Sequence, residues 1–147
     1  MSKRWPTVAD YMDTVVHTLR PDAPILDAVR FLLDKHVTGA PVIDDAGVVV
    51  GMLTEFDCLR LLAEGANNEV PRGTVRDYMS HKIVTVPSRM DIYYAAGLFL
   101  GQRFRRLPVV DDGKLVGAIT RFDILRAVER GVELRATAAR ERKTPGE

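Results

Sequence analysis

GMLTEFDCL (residues 51–59) returns as GAITRFDIL (residues 117–125). Gly, Thr, Phe, Asp and Leu stand at matching positions in both. Thr-x-x-Asp ahead of an apolar run is a helix-capping pattern: the threonine oxygen accepts a first-turn N–H and the aspartate reaches back to the cap N–H. A cap explains one copy. A second copy, again behind a glycine and an apolar pair, predicts that the surrounding unit is duplicated.

The duplication spreads outward from that motif. Residues 8–60 align with 75–126, with one deletion near Ala46. VADYM (8–12) matches VRDYM (75–79), and PVIDDAG (41–47) matches PVVDDG (108–113). Ile25, Ala28, Val29, Leu32 and Leu33 correspond to Ile92, Ala95, Ala96, Phe99 and Leu100, a helical stripe at i, i+3, i+4, i+7 and i+8 in each half. Each half therefore reads as a short helix (8–13), a short strand (Val15–Leu19, or Ile83–Val86), a helix to about His36, a strand hairpin and a last helix. Pro24 suits a helix start. The DDAG turn has a glycine for a positive φ. EGANNEVPRGT (64–74) reads as the linker. Residues 1–66, 67–130 and 131–147 are thus the first repeat with its N-terminal helix, the linker with the second repeat, and a polar tail. Within the tail, residues 133–142 can extend a helix, and TPGE (144–147) reads as disordered. A single repeat is marginal as a folding unit, and two packed together share a core.

Composition narrows the function. Twenty-one basic residues against 20 acidic give a net charge of +1, no global pull toward nucleic acid or an anionic membrane. One cysteine, Cys58, excludes an intramolecular disulfide and a multi-cysteine metal site. His17, His36 and His81 lack ligand spacing, so no metal is expected. No signal-like or membrane-spanning run occurs, and the expected location is cytoplasmic. With no nucleophile–base set, P-loop or dinucleotide fingerprint, the chain reads as a non-enzyme.

A duplicated h-x-x-P-V-h-D-[DE]-x-G, followed by G-h-h-T-x-x-D and a helix, resembles the CBS domain, the cystathionine-β-synthase-type motif. The tandem pair, a Bateman module, covers about residues 7–130. The resemblance implies an α+β fold: two βαββα half-domains packed sheet to sheet about a pseudo-twofold axis. It also implies two clefts that bind adenosine nucleotides (AMP, ADP or ATP) as regulatory ligands, a homodimer, and a separate regulated protein as partner. Carried onto this sequence, Thr54 and Asp57, and Thr120 and Asp123, would face phosphate and ribose. His17, Val37, Thr38, Gly39 and Ala40 would complete the Thr120/Asp123 cleft. Val84, Phe104, Arg105, Arg106 and Leu107 would complete the Thr54/Asp57 cleft. Glu55 repels phosphate where Arg121 attracts it, so the Thr120/Asp123 cleft, with Arg106 and Arg121, is ranked first for a charged nucleotide. Two alternatives stay open. In one, the motifs are only caps in a constitutive interaction module. In the other, Arg103, Arg105, Arg106 and the basic tail (Arg135, Arg140, Arg142, Lys143) touch nucleic acid, a reading weakened by interleaved acids.

Overall fold

The computed structural model describes residues 6–63, 70–101 and 104–143. Most of the predicted linker, Arg103 and TPGE lie outside these. A 3-10 helix at Val8–Asp10 leads into α1 (Ile25–Lys35), β1 (Gly39–Ile43), β2 (Val49–Thr54) and α2 (Glu55–Ala63). The second repeat gives α3 (Val75–Tyr78), α4 (Ile92–Gly101), β3 (Arg106–Asp111), β4 (Lys114–Thr120) and α5 (Arg121–Lys143). The architecture is α+β, with two antiparallel two-stranded sheets, β1–β2 and β3–β4.

Local chemistry accounts for these elements. Pro24 caps α1, and His36 closes it in the left-handed region at φ 54°. The hairpin turns place Gly47 at φ 81° and Gly113 at φ 80°, where a side chain would strain the backbone. In both ladders a register shift falls at the same place, between Val42 and Ile43 and between Val109 and Val110.

The expected first strand of each half shrinks to one residue. Leu19 forms a single parallel bridge to Val42, and Val86 to Val109. Leu19 N–H donates to Pro41 O and Leu19 O accepts from Ile43 N–H; Val86 repeats the arrangement with Pro108 and Val110. Pro87 follows Val86 directly and Pro21 lies two residues beyond Leu19, so neither segment can continue donating to a ladder. The helix stripe is also narrower than its periodicity suggests. Ile25, Ala28 and Leu32 are buried, but Leu33 is 68% exposed, and in the second repeat Leu100 is 91% exposed.

Two cores form, and the repeats exchange a part to build them. The first joins Leu19, Ile25, Ala28, Leu32, Ala40, Val42 and Leu53 to Val75 and Met79 from the start of the second repeat. The second joins Val86, Ile92, Ala95, Leu107, Val109 and Ile119 to Val8 from the start of the first. The N-terminal helix, grouped with residues 1–66 on sequence, thus packs in the other repeat's core. Val8 N–H donates to Met90 O and Ala9 N–H to Ser88 O. The glycines of the opening motif permit the exchange. A Cβ at Gly51 would meet Met79 Sδ at 2.5 Å, and one at Gly117 would meet Asp13 O at 2.8 Å. Fully burying one Leu, Ile or Val contributes about 1.5–3 kcal/mol, so each lead-in helix is a real share of the core it joins.

The expected polar tail at 131–147 continues α5 without a break to Lys143. Among the described residues no helix is long and apolar enough to cross a membrane.

Candidate functional site

A cavity of about 470 Å³ opens where the two hairpins bring their helix-proximal ends together, within the range of roughly 300–1,000 Å³ usual for small-molecule sites. The first repeat lines it with Val37, Thr38, Gly39, Thr54, Glu55 and Asp57, and the second with Lys82, Val84, Phe104, Arg105, Arg106, Leu107 and Thr120. The ladders explain the gathering. Gly39 stands opposite Thr54, and Arg106 opposite Thr120. Each threonine is therefore beside the strand start of its own repeat as well as near the other repeat. Gly39 serves that closeness: a Cβ there would sit 3.0 Å from Leu53 O and 3.2 Å from Thr54 Cγ2.

Thr54 ends β2, and Asp57 lies in the first turn of α2. Thr54 donates to Asp57 Oδ2 from its N–H at 2.8 Å and from Oγ1 at 3.1 Å. Thr120 donates likewise to Asp123 Oδ2, at 2.8 and 3.0 Å. In the second repeat the Asp123 N–H also returns a bond to Thr120 Oγ1 at 3.2 Å. Asp123 is buried, with 8% of its surface exposed, and Arg126 Nη2 donates to its Oδ1 at 2.7 Å. Arg60, the equivalent of Arg126, instead lies over the Tyr78 ring, 5.1 Å from its centroid.

The same box occurs twice more. Thr7 and Thr74 donate from N–H and Oγ1 to Oδ2 of Asp10 and Asp77, with N–H distances of 2.8 Å. Neither of these copies lines the cavity.

The remaining expected site residues fall elsewhere. Ala40 is fully buried in the first core. His17 packs edge-on against Phe31, with ring centroids 6.0 Å apart. Arg121 and Asp123 do not line the cavity, although Thr120 does. Arg121 N–H is held by Arg105 O at 3.4 Å, as Glu55 N–H is held by Thr38 O at 2.8 Å. Cys58 packs against the first core; burial pushes its thiol pKa up, and the nearby Asp57 charge adds to the rise. No group of three or more His, Cys, Asp or Glu able to hold a metal ion occurs among the described residues.

Sequence reasoning missed Lys82 and Ser80, which line the cavity with Val84. Their signal was the alternation itself: in an extended segment, residues two apart face the same way. Electrostatically the cavity sets Lys82, Arg105 and Arg106 against Glu55 and Asp57. Arg105 Nη1 lies 3.6 Å from Glu55 Oε1, an ion pair from one repeat to the other.

The CBS domain family model matches residues 8–64 and 75–130, and the chain belongs to that family. Its curated relatives include CBSX2, a chloroplastic CBS domain-containing protein of Arabidopsis thaliana. The two are 34% identical over 149 aligned positions, covering 82% of this chain and 63% of CBSX2. YhcV of Bacillus subtilis (strain 168) is 34% identical over 119 positions, covering 80% of this chain and 82% of YhcV. Six of the curated relatives are longer proteins, of which the chain spans between 15% and 63%. The crystal structure of CBSX2 in complex with AMP superposes with a TM-score of 0.74 at 38% identity, covering 84% of this chain and 96% of that one.

Proposed function

We propose that the chain is a non-catalytic regulatory module that binds an adenosine compound of the AMP type in the cavity against Thr54 and Asp57. The observation that carries this is the cavity's two-sided lining, with first-repeat Thr54 and Asp57 facing second-repeat Lys82, Arg105 and Arg106. The AMP complex of CBSX2 supports the ligand class. Asp57 is positioned to accept from ribose hydroxyls, the basic residues to meet a phosphate, and Val37, Val84 and Phe104 to cover a base. We prefer the Thr54/Asp57 cleft to the Thr120/Asp123 cleft. The Thr120/Asp123 side, ranked first for its arginines, has its carboxylate buried and already paired with Arg126.

A ligand touching both repeats favours the arrangement in which both can reach it. It shifts that population only by its difference in affinity between arrangements. A separate protein, reading that arrangement, is the regulated partner. A homodimer is the assembly we assign, because Phe56, Leu59 and Leu62 on α2 and Phe122 and Leu125 on α5 are each more than half exposed.

Calorimetric titration with adenosine, AMP, ADP, ATP, adenosylmethionine and NAD tests the reading. Binding of at least one, weakened tenfold or more by Asp57→Ala and little changed by Asp123→Ala, is the expected outcome. No heat with any of them sinks it. One observation favours the rival reading of a ligand-free interaction module: at Thr7–Asp10 and Thr74–Asp77 the same box caps a helix away from the cavity. Under that rival, Asp57→Ala changes stability alone.

A further inference from the structure

Glu55 stands in the first turn of α2, where a helix's unpaired N–H groups favour an anion. The second repeat has Arg121 at that position. Glu55 thus puts a carboxylate at the positive end of α2, and it reaches across the cavity lining to Arg105 of the other repeat. Of the three basic side chains there, Arg105 is committed to Glu55. Lys82 and Arg106 have no ion pair among the described residues. Two uncommitted cations match a monophosphate, which carries a charge of about −1.5 to −2. A triphosphate brings roughly twice that charge and meets the Glu55 carboxylate with no further cation to offset it.

We infer that the Glu55–Arg105 pair is a charge filter. It admits a nucleoside or nucleoside monophosphate to the cavity and holds off polyphosphates. The inference rests on the adenosine-site reading above and adds the residue that sets how much phosphate the site accepts. The pair is exposed on both sides, 65% for Arg105 and 59% for Glu55, so its own contribution to stability is small. Its effect lies in the field at the cavity, which grows with ligand charge and is screened by salt.

The experiment titrates adenosine, AMP and ATP into the wild type, Glu55→Gln, Arg105→Gln and the double variant, at low and high salt. Glu55→Gln should leave adenosine affinity within about twofold, raise AMP affinity about threefold and raise ATP affinity about tenfold, with the gains shrinking as salt rises. In the Arg105→Gln background the same change should gain less, because part of the gain is the arginine it releases. Equal gains for all three ligands, or an unchanged ratio of ATP to adenosine affinity, overturn the filter and leave the site standing. If the wild type binds none of the three, the filter falls, and the site reading falls with it when ADP, adenosylmethionine and NAD give no heat either.

Discussion

Asp57 and Asp123 occupy equivalent positions in the two repeats, and each accepts its threonine's N–H at 2.8 Å. Their surroundings then diverge. Asp123 is buried, receives the full reciprocal box and is paired with Arg126. Asp57 is only partly buried and lines the cavity, while its neighbour Arg60 turns to Tyr78. One carboxylate is enclosed and ion-paired, and the other faces the cavity. The difference teaches that a Thr-x-x-Asp box is a backbone device first, and that its neighbours decide whether the carboxylate has anything left to offer a ligand.

The largest test asks whether the two cores are one folding unit. Leu53 and Ile119 are equivalent and fully buried, one in each core. Truncating either to Ala should cost about 2–5 kcal/mol. Because each core contains a helix from the other repeat, thermal melting should stay a single transition in both variants. Two separated transitions would break the comparison of halves as interlocked.

The exchange itself can be probed at its glycines. Gly117→Ala drives a Cβ against the backbone oxygen of Asp13, whereas Gly51→Ala first meets the flexible end of Met79. Both should destabilise by about 1–3 kcal/mol, and Gly117→Ala should be the worse in a denaturant midpoint measurement, since backbone yields less than a thioether.

Asp→Ala in the two boxes sharpens the contrast further. Each should cost about 0.5–2 kcal/mol as a lost cap. Asp123→Ala should fall nearer the upper end because it also removes the Arg126 partner from a buried site. An Asp57→Ala loss equal to that of Asp123→Ala would erase the division of labour.

The smallest effect concerns the hairpins. Asp44 and Asp111 are equivalent, but Asp44 accepts from Ala46 and Val48 N–H within its own turn. Asp111 accepts from Ser88 Oγ at 2.5 Å and Ser88 N–H at 2.9 Å, which together hold its pKa below the usual carboxylate range. A lowered carboxylate pKa contributes stability that is present above the ordinary carboxylate pKa and is lost as pH falls through the folded value. Ser88→Ala should therefore raise the Asp111 pKa, read by NMR titration, and shrink the acid-side loss. Position 21 is Pro and offers Asp44 no such hydroxyl.

Much of this was legible along the chain. The hairpins, their glycine turns, the helix starts at Pro24 and Thr54, and the duplication all rest on short-range rules: periodicity, φ preference and hydrogen bonds within a few residues. The first strands were over-read, because an apolar extended segment looks like a strand whether or not Pro87 and Pro21 let it pair beyond one residue. Leu33 and Leu100 were over-read too. Periodicity marks one side of a helix but not how far the neighbouring layer reaches around it. Lys82 was missed because it lies outside the repeated motifs, opposite Val15 in the alignment.

By itself the sequence determined that there are two copies of one unit, where each hairpin turns and that Thr54 and Thr120 cap the helices that follow them. It could not determine which core each lead-in helix would enter. Val8 and Val75 are the same residue type in the same local pattern, so both cores present the same acceptor to both helices. Only the assembled chain resolves that choice, and with it the place where Thr54, Asp57, Lys82 and Arg105 meet. The tertiary structure also decided the fate of the charges. Arg126 and Arg60 both donate to the carbonyl of the equivalent tyrosine, Tyr11 or Tyr78, yet only Arg126 is ion-paired with its aspartate among the described residues, a difference no local pattern contains.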